Sequence, residues 1–184
     1  LSCHVRRDEI VAECADTNIS PVTLLATDYL NHFNEVTMLA EIAGDDPECV
    51  AEILDWQPCS YPDHYRNSGL RYGALAAEAY AYVDPEVRSA FDLLIAELDA
   101  VVFETQERLL KLMADCAQSQ TQGGLAGEAD KDPFAQLGAT LHDLTNRLQP
   151  RIAKAHSIIN GDTGGSQPEG APTHEHEMID ALFG

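Results

Sequence analysis

The sequence has few basic residues and no long apolar run. Lys and Arg together number 11 against 31 Asp and Glu, which gives a formal net charge of -20. A surface with this balance repels phosphate backbones and anionic headgroups, so it argues against nucleic-acid and membrane-surface partners. No apolar stretch approaches the roughly 18 residues that a membrane-spanning helix needs. The acidic surplus favours a basic partner or a metal ion, or serves only solubility.

Cysteine pairs at metal-binding spacing are also missing. The cysteines number 5, they are widely spaced, and no two of them form a CxxC pair. This pattern favours reduced thiols over a disulfide framework or a zinc knuckle, and it predicts a cytoplasmic protein. Because the sequence begins at Leu1 without an initiator Met, the possibility that a leader has been removed stays open.

Familiar catalytic and β-sheet patterns are missing as well. The sequence contains no GxxxxGK phosphate-binding loop, no GxSxG nucleophile elbow and no HExxH metal motif. No stretch alternates apolar and polar residues for long, and β-branched residues are sparse. These absences argue against the enzyme classes that use those motifs and against a β-rich fold.

Helix-start signals dominate what is present. The first, Ser20 before Pro21, predicts a helix of about six turns that ends near Gly44. The second, Asp46 before Pro47, predicts a short helix and then a tight, aromatic-rich connection that contains two prolines. Residues 1–16 are helix-like with a loose period. A capping side chain precedes proline at Ser20-Pro21, Asp46-Pro47, Asp84-Pro85 and Asp132-Pro133.

The second half of the chain contains two long amphipathic patterns. The run that begins after Asp84 keeps one apolar stripe for more than about eight turns. After a glycine-containing break, Asp132 opens another long helix, which Pro150 is expected to kink or interrupt. Two such helices joined by a break predict an all-α helical bundle with a long antiparallel helical hairpin at its centre.

The composition divides the chain into three parts. Residues 1–160 carry the helical pattern and form the predicted helical bundle domain. Residues 161–172 are rich in Gly and Pro and predict a flexible linker. Residues 173–184 predict a C-terminal amphipathic helix that binds a partner.

The predicted C-terminal helix is too short to be stable alone in water, so we expect it to order only against a groove. That groove belongs either to a partner or to the body of the same chain. The alternative is a frayed acidic terminus, although the apolar composition argues against a purely solvated end. The candidate partner-binding residues are Met178, Ile179, Asp180, Leu182 and Phe183.

Two segments together resemble a known family. The sequence I-D-A-L-F at residues 179–183, after a linker, resembles the tail with which CheZ-type chemotaxis protein phosphatases hold phosphorylated CheY-like response regulators. Those proteins also have a long helical hairpin, and its second helix carries a motif of the form D-L-T-G-Q. The corresponding residues here are Asp143-Leu144-Thr145-Asn146-Arg147, which match the motif in the first three letters.

The resemblance implies binding of a CheY-like response regulator more strongly than it implies hydrolysis. In that family the aspartate engages a lysine of the regulator, and the glutamine orients water for attack on the aspartyl phosphate. Arg147 stands at the glutamine position, and a guanidinium has no acceptor with which to align water. The candidate catalytic residues of a phosphatase are therefore Asp143, Asn146 and Arg147.

The resemblance also has implications for cofactors and assembly. The protein needs no cofactor or metal of its own, and any Mg²⁺ would belong to the partner receiver, where it stabilises the phosphoryl group. A homodimer is an alternative to a monomer, because the hairpins of that family often pair into a four-helix bundle.

Two readings from other classes stay open beside this one. Asp28, His32 and Glu35 follow helical spacing, so they could place a metal or redox site on one face of a bundle, or form an ordinary hydrogen-bonded surface. Cys59 and His64 lie in the aromatic-rich connection, where the residues favour a roof over the core more than a thiol nucleophile. A non-enzymatic interaction scaffold is the remaining alternative.

Overall fold

A computed structural model of the chain describes residues 2–44, 46–121 and 132–162. Within these ranges the chain forms a helical bundle without strands, which confirms the predicted all-α fold. No helix in this part of the chain is long and apolar enough to cross a membrane. The helices are α1 (Ser2–Glu13), α2 (Asn31–Ile42), α3 (Pro47–Asp55), α4 (Tyr61–Asn67), α5 (Gly73–Ala79), α6 (Pro85–Thr121) and α7 (Pro133–Asn160).

The segment after Ser20 shows that the predicted six-turn helix is wrong in its first half. Leu24 has a φ of 65°, and a residue in this left-handed region cannot continue an α-helix. The chain makes a tight turn there, and α2 begins only at Asn31. The turn is tied to the end of α7, because the Thr23 hydroxyl donates a hydrogen bond to the Ile159 carbonyl. Local hydrogen bonds also close the turn, since the Ser20 N–H donates to the Leu25 carbonyl and the Leu24 N–H to the Ser20 carbonyl, both at 2.8 Å.

Short helices with clear caps follow α2. The side chains of Asp46 and Ser60 each accept a backbone N–H of the first turn, of α3 and α4 respectively. The aromatic-rich connection predicted after α3 thus contains a helix, α4. This helix has only 7 residues, too few to show a clear helical repeat in the sequence. α5 begins at Gly73, where a Cβ atom would lie 2.4 Å from the Tyr65 carbonyl oxygen. Only glycine allows α4 and α5 to approach this closely.

The long helices α6 and α7 form the predicted antiparallel hairpin. Asp132 caps α7 by accepting a backbone N–H of the first turn. Ion pairs join Glu104 to Arg147 and Arg108 to Asp143, so residue numbers rise along one helix as they fall along the other. The prediction of a long antiparallel hairpin is confirmed.

Pro150 lies inside α7, and the helix continues through it, so the predicted interruption does not occur. Proline lacks the N–H that would otherwise bond to the Asn146 carbonyl. Both residues are exposed, so water can satisfy that carbonyl. One residue further along, the Arg151 guanidinium donates to the Arg147 carbonyl at 2.8 Å and supports the same stretch of helix.

A cluster of aromatic rings forms the centre of the core. Phe91 of α6 is fully buried, and its ring centroid lies 5.9 Å from that of Tyr29 and 5.8 Å from that of Tyr61. The Tyr61 hydroxyl accepts the Ala26 N–H at 2.7 Å, so a polar group that would be costly to bury is satisfied. We call this set the aromatic cluster; its members are Tyr29, Phe33, Trp56, Tyr61, Tyr65 and Phe91.

Gln106 joins α6 to the end of α3. Its side chain is 8% exposed, and its amide nitrogen lies 2.9 Å from both the Ile53 and the Trp56 carbonyl oxygens and 3.3 Å from that of Leu54. The last carbonyls of a helix have no partner within the helix itself. The Gln106 amide therefore satisfies acceptors that would otherwise be buried without a donor.

The cysteines whose side chains the structure describes are free thiols, as the sequence predicts. Cys14 and Cys49 are buried, and they pack as small apolar groups in the core. Cys59 and Cys116 are half-buried. The cytoplasmic location inferred from reduced thiols stays a prediction.

Candidate functional site

The D-L-T segment lies in the middle of α7, on the side that faces α6. Leu144 is fully buried, as are Leu141 and Leu148 one turn to either side. This apolar stripe fixes the rotation of α7 against α6. Asp143 and Arg147 flank the stripe, so their side chains emerge at the rim of the hairpin, 41% and 31% exposed.

The candidate catalytic residues Asp143 and Arg147 belong to one ion-pair network across the hairpin. Arg108 of α6 donates to the Asp143 carboxylate at 2.6 Å. Arg147 donates to the Glu104 carboxylate, and another of its nitrogens lies 3.7 Å from the Asp143 carboxylate. The structure therefore brings Asp143 and Arg147 together, and it adds two partners from α6. We call these four side chains the hairpin ion network.

The electrostatics of the hairpin ion network keep Arg147 charged. The hydrogen bond to Glu104 raises the pKa of the Arg147 guanidinium, and the Asp143 charge acts in the same direction. The cation is therefore already shared between two carboxylates. It can still stabilise developing negative charge, but it offers no acceptor for a water molecule.

Asn146, the third candidate catalytic residue, has a different environment. It is exposed, and it lies one residue before Arg147, which corresponds to about 100° of rotation around the helix. Its side chain amide has the acceptor that Arg147 lacks, but it is displaced from the hairpin ion network. A water molecule aligned by Asn146 would therefore sit to one side of the Asp143–Arg147 pair.

The partner-binding residues predicted in the tail, from Met178 to Phe183, lie outside the described residues. The described chain ends just after α7, where Gly161 adopts a φ of 79° and closes the helix. The tail is therefore connected, through residues 161–172, to the helix that carries Asp143. The predicted linker and C-terminal helix stay predictions.

The alternative metal site is not assembled in the described part of the chain. Asp28 lies in a 3-10 turn before α2, where its carboxylate accepts a hydrogen bond from the Tyr72 hydroxyl at 2.6 Å. The His32 ring stacks on Trp56 and pairs with the Gln57 carbonyl oxygen at 3.0 Å. Glu35 is exposed. Among the described side chains, no three His, Cys, Asp or Glu residues are grouped so that they could hold a metal ion.

The Cys59–His64 region is the roof over the core that the sequence analysis favoured. Burial raises the pKa of the Cys59 thiol, with a smaller contribution from Asp63, so the nucleophilic thiolate is disfavoured. Burial also lowers the pKa of His64, whose ring packs edge-on against Tyr29 at 5.3 Å and Tyr65 at 5.1 Å. The two residues lack the arrangement of an activated nucleophile.

A groove between α2 and α7 is the feature that sequence reasoning missed. It has a volume of about 330 Å³, and Met38 and Glu41 of α2 face Ile152, Ala153 and His156 of α7 across it. The signal that could have found it is Met38, which the sequence analysis did not place on the apolar face of its helix. We call this feature the α2–α7 groove.

No protein-family model, curated protein or solved structure matches the chain. The CheZ-type likeness therefore rests on the long hairpin with its D-L-T segment and on the I-D-A-L-F tail. What the site can do is argued below from its geometry.

Proposed function

We propose that the protein is a signalling protein that binds a phosphorylated CheY-like response regulator through residues 173–184. The hairpin then presents Asp143 to the bound receiver. Binding is the principal activity, and acceleration of receiver dephosphorylation is a secondary one. Any Mg²⁺ belongs to the receiver. A plain interaction scaffold with another partner is the alternative function.

The observation that carries the proposal is the continuity of α7 from the candidate site to Asn160, just before the predicted linker. The helix rises about 1.5 Å per residue, so Asp143 lies about 26 Å from the end of α7. A linker such as residues 161–172 has a typical reach of about 20 Å and a full extension of about 40 Å. A receiver held by the tail can therefore reach the hairpin ion network without any change in the fold.

The hairpin ion network supports binding better than hydrolysis. A receiver lysine that approaches Asp143 must compete with Arg108, but that pair is about half exposed and therefore weak, worth about 1 kcal/mol or less. Exchange of one cation for another at Asp143 is thus inexpensive. Hydrolysis has no comparable support, since Arg147 stands where CheZ-type proteins have the glutamine whose amide aligns water.

Affinity measurements on the full-length chain test the binding proposal. Receivers with and without a phosphoryl mimic are titrated by calorimetry against wild type and Leu182→Ala/Phe183→Ala. Loss of two buried apolar side chains corresponds to several kcal/mol, so we expect binding of the mimic-bearing receiver to weaken by more than about tenfold. The matched control is Leu110→Ala/Phe134→Ala, which truncates side chains that are 56% and 81% exposed on the hairpin. Equal affinity of all three proteins for every receiver would contradict the proposal.

Dephosphorylation rates test the secondary activity separately. We expect Arg147→Gln to accelerate receiver dephosphorylation, because the amide restores the acceptor that the guanidinium lacks. Asp143→Ala should slow the same reaction. Lys111→Ala, an exposed change on α6, is the control and should leave the rate unchanged. If Asp143→Ala and Arg147→Gln both behave like wild type, Asp143 is a member of an ordinary surface ion pair.

A further inference from the structure

The α2–α7 groove leaves apolar side chains exposed on the body of the protein. Met38 at the groove is 56% exposed, and Ile42, one turn further along α2, is 46% exposed. Ile152 and Ala153 form the opposite wall. At about 330 Å³, the groove is at the lower end of the volumes that bind ligands in proteins. It can take a few apolar side chains, but not a folded domain.

We propose that the α2–α7 groove binds residues 173–184 of the same chain, with Met178, Ile179, Leu182 and Phe183 directed into it. The groove is built from the last turns of the helix to which the tail is joined. The spacing of residues along α7 places His156 about 6 Å and Ala153 about 10 Å from the end of the helix at Asn160. The segment that leads to the tail therefore starts beside the groove.

The length of the intervening chain fits this short distance. About ten residues separate the last described residue, Asp162, from the segment that binds, and such a linker has a typical end-to-end distance of about 17 Å. This length exceeds the span of roughly 6–10 Å, and a short flexible tether that can reach its site gives an effective concentration in the millimolar range. Weak contacts in the groove are then enough to hold the tail for a large part of the time.

The charge of the α2–α7 groove also suits an acidic peptide better than most of this surface. The chain has a formal net charge of -20, yet among the lining residues only Glu41 is a carboxylate, and His156 is the other ionisable group. Glu175, Glu177 and Asp180 of the tail therefore meet little repulsion there. A highly acidic face elsewhere on the body would exclude the same peptide.

Binding in the groove has a consequence that rests on the proposed function. The apolar side chains that enter the groove are the ones assigned to the receiver, so the two events exclude each other. The body then competes with the receiver for the tail, and the apparent affinity for the receiver falls by the fraction of tail that is bound in the groove.

Methionine methyl NMR of the full-length chain tests the binding without any receiver. The chain contains 3 methionines, and each reports on a different place: Met38 on the groove, Met178 on the tail, and Met113 on the exposed side of α6. We expect Leu182→Asp/Phe183→Asp to shift the Met38 methyl signal and leave the Met113 signal in place.

A change in the groove should have the reciprocal effect on the tail. Ala153→Arg fills the groove, so we expect it to move the Met178 signal to the position seen in Leu182→Asp/Phe183→Asp. The matched control is Ala139→Arg, an exposed position about 21 Å away on the same helix, which should leave Met178 unchanged.

Two outcomes would overturn the inference. The first is a Met178 signal at the same position in wild type and Ala153→Arg, together with a Met38 signal at the same position in wild type and Leu182→Asp/Phe183→Asp. The second is a set of shifts that disappear on dilution, because that would place the tail on a second copy of the chain. Neither outcome bears on receiver binding, which the titration measures independently.

Discussion

The core around the aromatic cluster and the far end of the hairpin are built on different principles. Around Phe91, side chains from the 3-10 turn before α2, from α2, from the end of α3, from α4 and from α6 bury rings and satisfy their polar groups. At the far end, residues 110–118 of α6 and 132–139 of α7 contain no buried side chain. Leu110, Met113 and Phe134 are instead largely exposed there. We call these two segments the hairpin end.

The difference shows where the stability of the protein resides. Fully buried rings contribute several kcal/mol each, whereas exposed apolar groups on a pair of helices contribute little. The hairpin end can therefore change without loss of the fold. The hairpin ion network lies between the two regions, where the last buried stripe, at Leu141 and Leu144, holds α7 against α6.

The largest expected effect comes from removal of a ring in the aromatic cluster. Phe91→Ala removes a fully buried ring and leaves a cavity, so the free energy of unfolding should fall by about 3–5 kcal/mol. Phe134→Ala is the same chemical change at the hairpin end, where the side chain is 81% exposed, and should alter stability by less than about 0.5 kcal/mol. Urea unfolding followed by circular dichroism measures both. Similar losses for the two variants would remove the distinction between the regions.

A medium effect is expected at Gln106, where the core depends on a polar side chain. Gln106→Met keeps the length of the side chain and removes the donor to the Ile53 and Trp56 carbonyls. Buried acceptors without a donor cost about 1–3 kcal/mol, so the free energy of unfolding should fall by about 2 kcal/mol. Gln118→Met, an exposed position near the end of α6, serves as the comparison and should cost less. A stability of Gln106→Met equal to wild type would show that water replaces the amide.

Caps and periodicity predict the parts of the fold that local sequence controls. Asp84 and Asp132 mark the starts of α6 and α7, and the all-α class and the hairpin follow from their stripes. The first half of the predicted six-turn helix is wrong, because Ser20 closes a turn at Leu24 through local hydrogen bonds and a contact to α7 adds to them. Of the two outcomes predicted at Pro150, a kink or an interruption, the interruption does not occur, and the exposure of Asn146 and Pro150 lets water satisfy the released carbonyl.

The candidate site was predictable only in part, for a similar reason. The positions of Asp143 and Arg147 on one helical face follow from their spacing along the chain. Their pairing with Arg108 and Glu104 depends on the register between α6 and α7, which the sequence does not display. The α2–α7 groove requires residues of two helices, more than a hundred positions apart in the chain, to lie side by side.

The smallest expected effect on the free energy of unfolding concerns Asp99 of α6, whose carboxylate is partly buried. One of its oxygens is inaccessible to solvent and has no hydrogen-bond partner, and burial raises the pKa of the group from 3.8 to about 6. A folded-state pKa above the unfolded value means that the protonated form favours folding. This contribution is complete below about pH 4 and is lost as the pH rises through about 6.

Asp99→Asn replaces the carboxylate with a neutral group of the same shape, so it should stabilise the protein where Asp99 is ionised. We expect a gain of about 1 kcal/mol near pH 8, a value reduced for the partial exposure of the group, and almost none near pH 4. Urea unfolding across this pH range measures the difference between variant and wild type. Glu107→Gln, which removes an exposed carboxylate from the same helix, is the matched control. A pH-independent difference for Asp99→Asn would mean that solvent reaches the carboxylate. The part of α6 that is shielded from water would then end closer to the aromatic cluster than Asp99.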